Sequence, residues 1–169
     1  METESYTAAA RLVKEFSTKG ITVGTAESCT GGLIAKLITD VSGSSAVLVG
    51  GFVTYTNEVK TKLLGVDPKI FDAHTEVSFA CAEEMARGAR ERLSCTLAVS
   101  ATGFAGPGGG NEKDPVGTVY LGIATPSGTY GERFSAPEGA TRDEVRRAAA
   151  WRAIELLLAA GESFALGLS

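Results

Sequence analysis

The sequence predicts an α/β fold, a three-layer α/β/α sandwich around a mixed, mostly parallel sheet. Three observations carry that prediction. Segments with strand-like and helix-like periodicity alternate through the first half of the chain. Later, Pro126-Ser127-Gly128 separates two β-rich runs as a hairpin turn would, so part of the sheet is antiparallel. The small-residue loops 26–32, 42–45 and 102–110 each follow or flank a predicted strand, where ligands bind in open α/β sheets.

In order, residues 5–19 read as a helix with Ala9, Leu12, Val13 and Phe16 on one stripe and Gly20 as its stop. A short strand is expected over 21–25, then a turn carrying Ser28, then a helix to about Thr39. Ala46–Tyr55 reads as a strand bent or bulged at Gly50-Gly51. Asn57–Leu64 is a short helix ended by Gly65, and Asp67-Pro68 opens a helical turn towards His74. Ser78 caps a helix over 79–93. Cys95–Ala101 is a buried strand, and Thr102–Pro115 a long glycine-rich loop. Strands over 116–125 and 129–134 form the hairpin. Thr141 and Glu144 make a capping box for a last helix running to about Ala160.

The 169 residues suit one ordinary domain, taken as 1–169. Twenty-one glycines exceed the average share of ~7% and cluster in a few loops, which points to ligand loops. With a net charge of −4 and scattered basic residues, no face suits duplex nucleic acid. No apolar run approaches the ~20 residues of a membrane span, and the acidic Met1-Glu2-Thr3-Glu4 is unlike a signal peptide. Three cysteines fit a reducing, cytoplasmic setting. One histidine and no cysteine pair leave no zinc ligand set.

The centre of interest is Thr25-Ala26-Glu27-Ser28-Cys29-Thr30-Gly31-Gly32. A strand-to-helix turn collects unpaired N–H groups and the positive end of the helix dipole, so it can hold an anion or a developing oxyanion. The amides of Ser28 and of residues 29–32 are the expected donors. Ser28 is the candidate nucleophile; it could equally cap the following helix. Cys29 is its rival, since a thiol at a helix N-terminus gains acidity, or else a small buried residue. For a base, the chain offers His74 in a short loop or Lys60 on the short helix, and each also reads as an ordinary surface residue. A lysine base must be brought below its usual ~10.4, by burial or a neighbouring cation. Tyr55 could join a proton relay or belong to the core. The 102–110 loop could wrap a phosphate or ribose with its amides, although it is neither a P-loop nor a Rossmann fingerprint. Arg142, in the first turn of the last helix, suits an anion clamp, whereas Arg146 and Arg147 read as a solvated face.

The run Ala26–Gly32 resembles the signature of the CinA carboxy-terminal domain, the competence/damage-inducible protein family. The likeness continues through Gly43-Ser44-Ser45, Tyr55-Thr56-Asn57-Glu58-Val59-Lys60, Leu64-Gly65-Val66, Val77-Ser78, Thr102-Gly103-Phe104-Ala105-Gly106-Pro107-Gly108-Gly109 and Pro115-Val116-Gly117-Thr118-Val119-Tyr120. It implies a nicotinamide-nucleotide amidase that converts nicotinamide mononucleotide to nicotinate mononucleotide and ammonia, in bacterial pyridine-nucleotide salvage. The implied mechanism is a Ser-Lys dyad with no metal and no cofactor. Carried over, Ser28 is the nucleophile and Lys60 the base, and Ser45 and Tyr55 stand at positions tied to catalysis or substrate contact. Thr102 and Arg142 stand at binding positions. Thr30, Gly31 and Gly32 of the turn and Gly103 and Gly106 of the loop are expected to contact substrate. Two departures are visible: Thr56 replaces the usual serine, and Asp114 stands where a basic residue is common. Many family members carry an amino-terminal domain resembling molybdopterin-binding proteins; this chain is expected to lack it and resembles the stand-alone form. A homo-oligomer is expected, with a dimer as its form. The competing reading is a non-catalytic nucleotide-binding module of a competence or DNA-damage response.

Overall fold

The computed structural model describes residues 2–167, with side chains from Tyr6 onward, so the acidic opening stretch Met1-Glu2-Thr3-Glu4 lies outside the described side chains. Helix α1 spans Glu2–Lys19 and stops at Gly20, whose φ of 66° suits a residue without Cβ. Strand β1 (Val23–Glu27) leads into the Ser28 turn and helix α2 (Leu33–Thr39). A single 3₁₀ turn, Ser44–Ala46, precedes β2 (Leu48–Val53). Helix α3 (Asn57–Val59) runs directly into a π-helical turn, Lys60–Leu64. Then come α4 (Pro68–His74), α5 (Phe79–Leu93), β3 (Leu97–Gly103), β4 (Thr118–Thr125), β5 (Gly128–Ser135) and α6 (Arg142–Ala165).

The five strands form one sheet in the order β2-β1-β3-β4-β5. β1 pairs in parallel with both β2 and β3; β4 pairs antiparallel with β3 and β5, so β4 alone runs against the rest. The β1–β2 register slips between Val23↔Leu48 and Gly24↔Gly50, which places the expected bulge at Val49, just before the glycine pair. Strands β1 and β3 each reach two residues further than the sequence suggests. Gly103 can extend β3 because it has no Cβ: one there would meet the Thr118 carbonyl oxygen at 2.5 Å.

Side chains alternate across the sheet. Leu97, Val99 and Ala101 of β3, with Leu121 and Ile123 of β4, face the layer of α1, α2 and α6. Ala98 and Ala124 face α5, together with Met85, Ala89 and Leu64 of the opposite layer. Small residues let α5 sit close: a Cβ on Gly122 would lie 2.3 Å from the Ala82 carbonyl oxygen. On the other side Gly161 of α6 admits the ring of Phe16, which a Cβ would meet at 2.3 Å. The result is a three-layer α/β/α sandwich. No helix among the described residues is long and apolar enough to cross a membrane.

Candidate active site

The site grows from the carboxyl end of β1. Glu27, the last residue of the strand, is fully buried, and its carboxylate accepts from the amides of Gly32 (3.0 Å), Ile34 (3.1 Å) and Ala35 (2.9 Å). A carboxylate buried among amides at a helix start is strongly favoured there. Glu27 thus ties the first turn of α2 back to the sheet and sharpens the bend in between. Ser28 is pinned by its own N–H, which donates to the Ala101 carbonyl of β3 (2.9 Å), and the Gly31 N–H closes the turn onto the Ser28 carbonyl (3.1 Å). Gly31 and Gly32 adopt φ of 62° and 96° to make it.

This accounting changes the expected set of oxyanion donors. The amides of Ser28, Gly31 and Gly32 are taken within the fold. Among the described residues, only the Cys29 and Thr30 amides of that stretch donate to no protein acceptor.

Lys60 arrives from the other layer. The Thr56 hydroxyl caps α3 by accepting from the Val59 N–H (3.3 Å), so threonine does what a serine would there. The helix then widens into the π turn, a device that re-aims side chains and recurs at functional sites. It turns both Lys60 and Leu64 inward. Lys60 is 1% exposed, and its Nζ donates to Ser28 Oγ at 3.2 Å and to the Tyr55 carbonyl at 3.4 Å. Burial holds the ammonium below the usual lysine range, partly opposed by negative charge at Glu76. Cys29, by contrast, is pushed up to about 12 by burial, so its thiol stays protonated.

A cavity of about 210 Å³ opens over the pair. Tyr55, Thr102, Gly103, Gly106 and Arg142 line it beside Ser28 and Lys60. The Thr102 hydroxyl donates to the Glu76 carbonyl (2.7 Å), which fixes the cavity wall where Thr75 is held at a φ of 66°, an uncommon state for a β-branched residue. Arg142 joins two walls by donating to the Gly106 carbonyl (2.7 Å) and to the Tyr55 hydroxyl (3.2 Å). Asp114 adds no free charge at the mouth. Its buried carboxylate accepts from the Tyr120 hydroxyl (2.8 Å) and Arg133 Nε (3.1 Å), anchoring the loop's far end to the hairpin.

Five other candidates do not line the cavity. Thr30, Gly31 and Gly32 build the turn beneath it. Ser45 is exposed on the 3₁₀ turn before β2. Because β2 lies parallel to β1, with Leu48 beside Val23, Ser45 sits at the amino end of the strands and Ser28 at the carboxyl end. His74 is exposed at the end of α4, away from the cavity. Among the described residues, no group of three or more His, Cys, Asp or Glu side chains is placed to hold a metal. The sequence reading missed Arg146. It is half-buried, and it donates through Nε to the Cys29 carbonyl (3.1 Å) and through Nη2 to the Thr30 carbonyl (2.9 Å).

The fold and cavity define an α/β protein with a buried amine set against a serine hydroxyl at a strand-to-helix turn. The chain belongs to the CinA C-terminal domain family, whose model matches residues 5–160. It is 46% identical over 138 residues to a protein of Shewanella oneidensis named nicotinamide-nucleotide amidohydrolase PncC, covering 82% of this chain and 32% of that one. A CinA-like protein of Myxococcus xanthus is 44% identical over 158 residues, 93% of this chain and 37% of that one. The chain thus spans about a third of the length of the curated relatives it matches. Among solved structures, the competence/damage-inducible protein CihA of Agrobacterium tumefaciens superposes with a TM-score of 0.90 at 41% identity, over 94% of this chain and 96% of that one. A CinA superfamily protein of Escherichia coli gives 0.87 at 29% identity, over 94% and 91%.

Proposed function

We propose that this chain is a nicotinamide-nucleotide amidohydrolase acting through Ser28 and Lys60. The observation that carries the reading is the buried Lys60 amine 3.2 Å from the Ser28 hydroxyl. A lysine acts as a base only when neutral, and burial favours the neutral form. The name of the Shewanella oneidensis relative supplies the substrate class.

In this scheme neutral Lys60 takes the Ser28 proton as Oγ attacks the carboxamide carbon of nicotinamide mononucleotide. The carbonyl π electrons move onto oxygen, which the free amides of the turn stabilise. As the tetrahedral intermediate collapses, Lys60 returns the proton and ammonia leaves. Water, deprotonated by Lys60, then attacks the acyl-Ser28 ester; the acyl C–Oγ bond breaks, Lys60 returns the proton to Ser28 Oγ, and nicotinate mononucleotide is released. The 210 Å³ cavity suits the pyridine and its carboxamide, with ribose and phosphate extending towards Arg142 at the mouth. Gly103 and Gly106 line that part of the cavity. The three cysteines are free thiols, in keeping with a reducing cytoplasm and a role in pyridine-nucleotide salvage.

Ammonia release from nicotinamide mononucleotide by the purified protein tests the reading, beside folded Ser28→Ala and Lys60→Met variants. Release by the wild type and its loss in both variants is expected. Activity that survives Ser28→Ala removes the dyad. A protein that binds the nucleotide without releasing ammonia is a binding module.

A further inference from the structure

We propose that Arg146 is a positioning residue for the oxyanion site, holding the turn so that the Cys29 amide faces the reacting carbonyl. The inference rests on the amidase reading above and adds a residue to it.

Arg146 lies on α6, one turn beyond Arg142, and its guanidinium takes two consecutive carbonyls, Cys29 at 3.1 Å and Thr30 at 2.9 Å. A planar fork suits such a paired grip, which a point charge would not reproduce. In a planar trans peptide the C=O and N–H point in opposite directions. The described cis bond lies elsewhere, at Gly106-Pro107. With the Cys29 carbonyl drawn towards α6, the Thr30 N–H is therefore directed away from α6. That is the side from which Lys60 approaches, since its π turn packs on α5 across the sheet. The neighbouring peptide is fixed by a different contact: the Ser28 carbonyl accepts the Gly31 N–H at 3.1 Å, which sets the direction of the Cys29 N–H.

These are the two amides of the turn with no protein acceptor among the described residues, and they follow the candidate nucleophile directly. Of the two, Cys29 lines the cavity whereas Thr30 is fully buried, so the Cys29 amide is the donor that meets the oxygen of an acyl group bonded to Ser28, and Arg146 holds the two peptides that follow it. Space for the guanidinium comes from Gly31: a Cβ there would stand 3.2 Å from Arg146 Nη2. The sequence Thr30-Gly31 is thus read by α6 as much as by the substrate side.

Two variants test this. Arg146→Met keeps the aliphatic stem without the guanidinium, and Arg146→Lys keeps a charge that can hold one carbonyl. For Arg146→Met the expected result is a fall in kcat on the order of 100-fold, the scale of losing one oxyanion donor. KM for nicotinamide mononucleotide and the pH midpoint of kcat should stay at their wild-type values, because neither Arg142 nor Lys60 is touched. Arg146→Lys should recover part of the loss. A fluorophosphonate that labels Ser28 supplies a readout independent of the substrate, since phosphonylation also places an oxygen in the oxyanion site; labelling of Arg146→Met should slow in parallel with kcat. A folded Arg146→Met with wild-type kcat and labelling rate overturns the proposal, as does a loss confined to KM. If the wild type releases no ammonia but its Ser28 labels faster than in Arg146→Met, the amidase reading falls and the role of Arg146 stands. Neither ammonia nor label in the wild type overturns both.

Discussion

The Lys60 amine stands 3.2 Å from the Ser28 hydroxyl, and the two residues reach that distance from different layers of the sandwich. Burial holds Lys60 below the ordinary value of 10.5. The proposed base works only when deprotonated, so kcat/KM for nicotinamide mononucleotide should rise with pH along a limb whose midpoint lies below 10.5. A pH–rate profile measures it. A midpoint at or above the free-lysine value removes Lys60 as the base.

The same burial has a consequence for stability. A lysine whose folded pKa is depressed binds fewer protons folded than unfolded between the two pKa values, so stability rises with pH across that window. Below the folded pKa the full penalty of the buried charge is present; above 10.5 it is gone. Lys60→Met should therefore be more stable than wild type at pH ~7, and the difference should shrink as pH approaches that of free lysine. Urea denaturation of both proteins at neutral and alkaline pH reads the gap.

Cys29 adjoins the nucleophile, yet its thiol is pushed up to about 12. A thiol-specific aromatic disulfide at pH ~8 should leave the proposed amidase activity of the folded protein intact, because the thiolate is the reactive species. Cys29→Ala should keep most of the wild-type rate, since only its amide serves the turn. Inactivation by the reagent that tracks modification of Cys29 would restore the thiol as a nucleophile.

Gly88 of α5 sets the position of the π turn. A Cβ there would meet the Leu64 carbonyl oxygen at 2.0 Å, so Gly88→Ala must push Lys60–Leu64 outward. Overpacking of this kind costs about 1–3 kcal/mol. The activity loss should be larger in proportion, on the order of 100-fold for a displacement of about 1 Å at the dyad. A thermal midpoint lowered by roughly 2–12 °C with kcat strongly reduced is the expected pairing; unchanged kcat would mean the turn absorbs the methyl without moving Lys60.

Arg142 braces Gly106 and Tyr55, and in the proposed reaction it also holds the phosphate end of the substrate. Arg142→Lys keeps the charge and loses the fork, so KM for nicotinamide mononucleotide should rise about 10-fold or more, the value of a charge-assisted hydrogen bond. With nicotinamide riboside, which lacks the phosphate, wild type and variant should differ little. An equal penalty on both compounds would assign Arg142 to loop structure alone.

Glu27 holds three amides of the first turn of α2. Glu27→Gln replaces one acceptor oxygen by a donor facing those amides. A loss of about 2 kcal/mol or more is expected, because hydrogen bonds to a charged group are the stronger class. Chemical denaturation would show it, and a neutral result would mean the turn finds other acceptors.

Much of this molecule is legible in its residues. Alternating periodicities predict the sandwich, and the Ser78 and Thr141 caps are visible as sequence patterns and present in the fold. Other features depend on partners distant in the chain. Glu27 reads as a loop charge because the amides that donate to it belong to a helix that begins later. Asn57–Leu64 fits an ordinary helical period, and only the close approach of Gly88 marks where it widens. Arg146 looks solvated on its own helix, since the carbonyls it grips are more than a hundred residues earlier. Ser45 belongs to the same run of motifs as Ser28, but parallel pairing of β2 with β1 carries it to the far end of the sheet.

Lys60 is delivered by the layer built on α5, and the turn bearing Ser28 is gripped by α6 from the layer opposite. Neither half of the sandwich contains a working pair. In the proposed reaction, chemistry requires both layers docked on the sheet, so a nascent or partly opened chain would leave amides untouched. Turnover by the proposed dyad would then report the intact sandwich, and the protein would carry its own test of assembly.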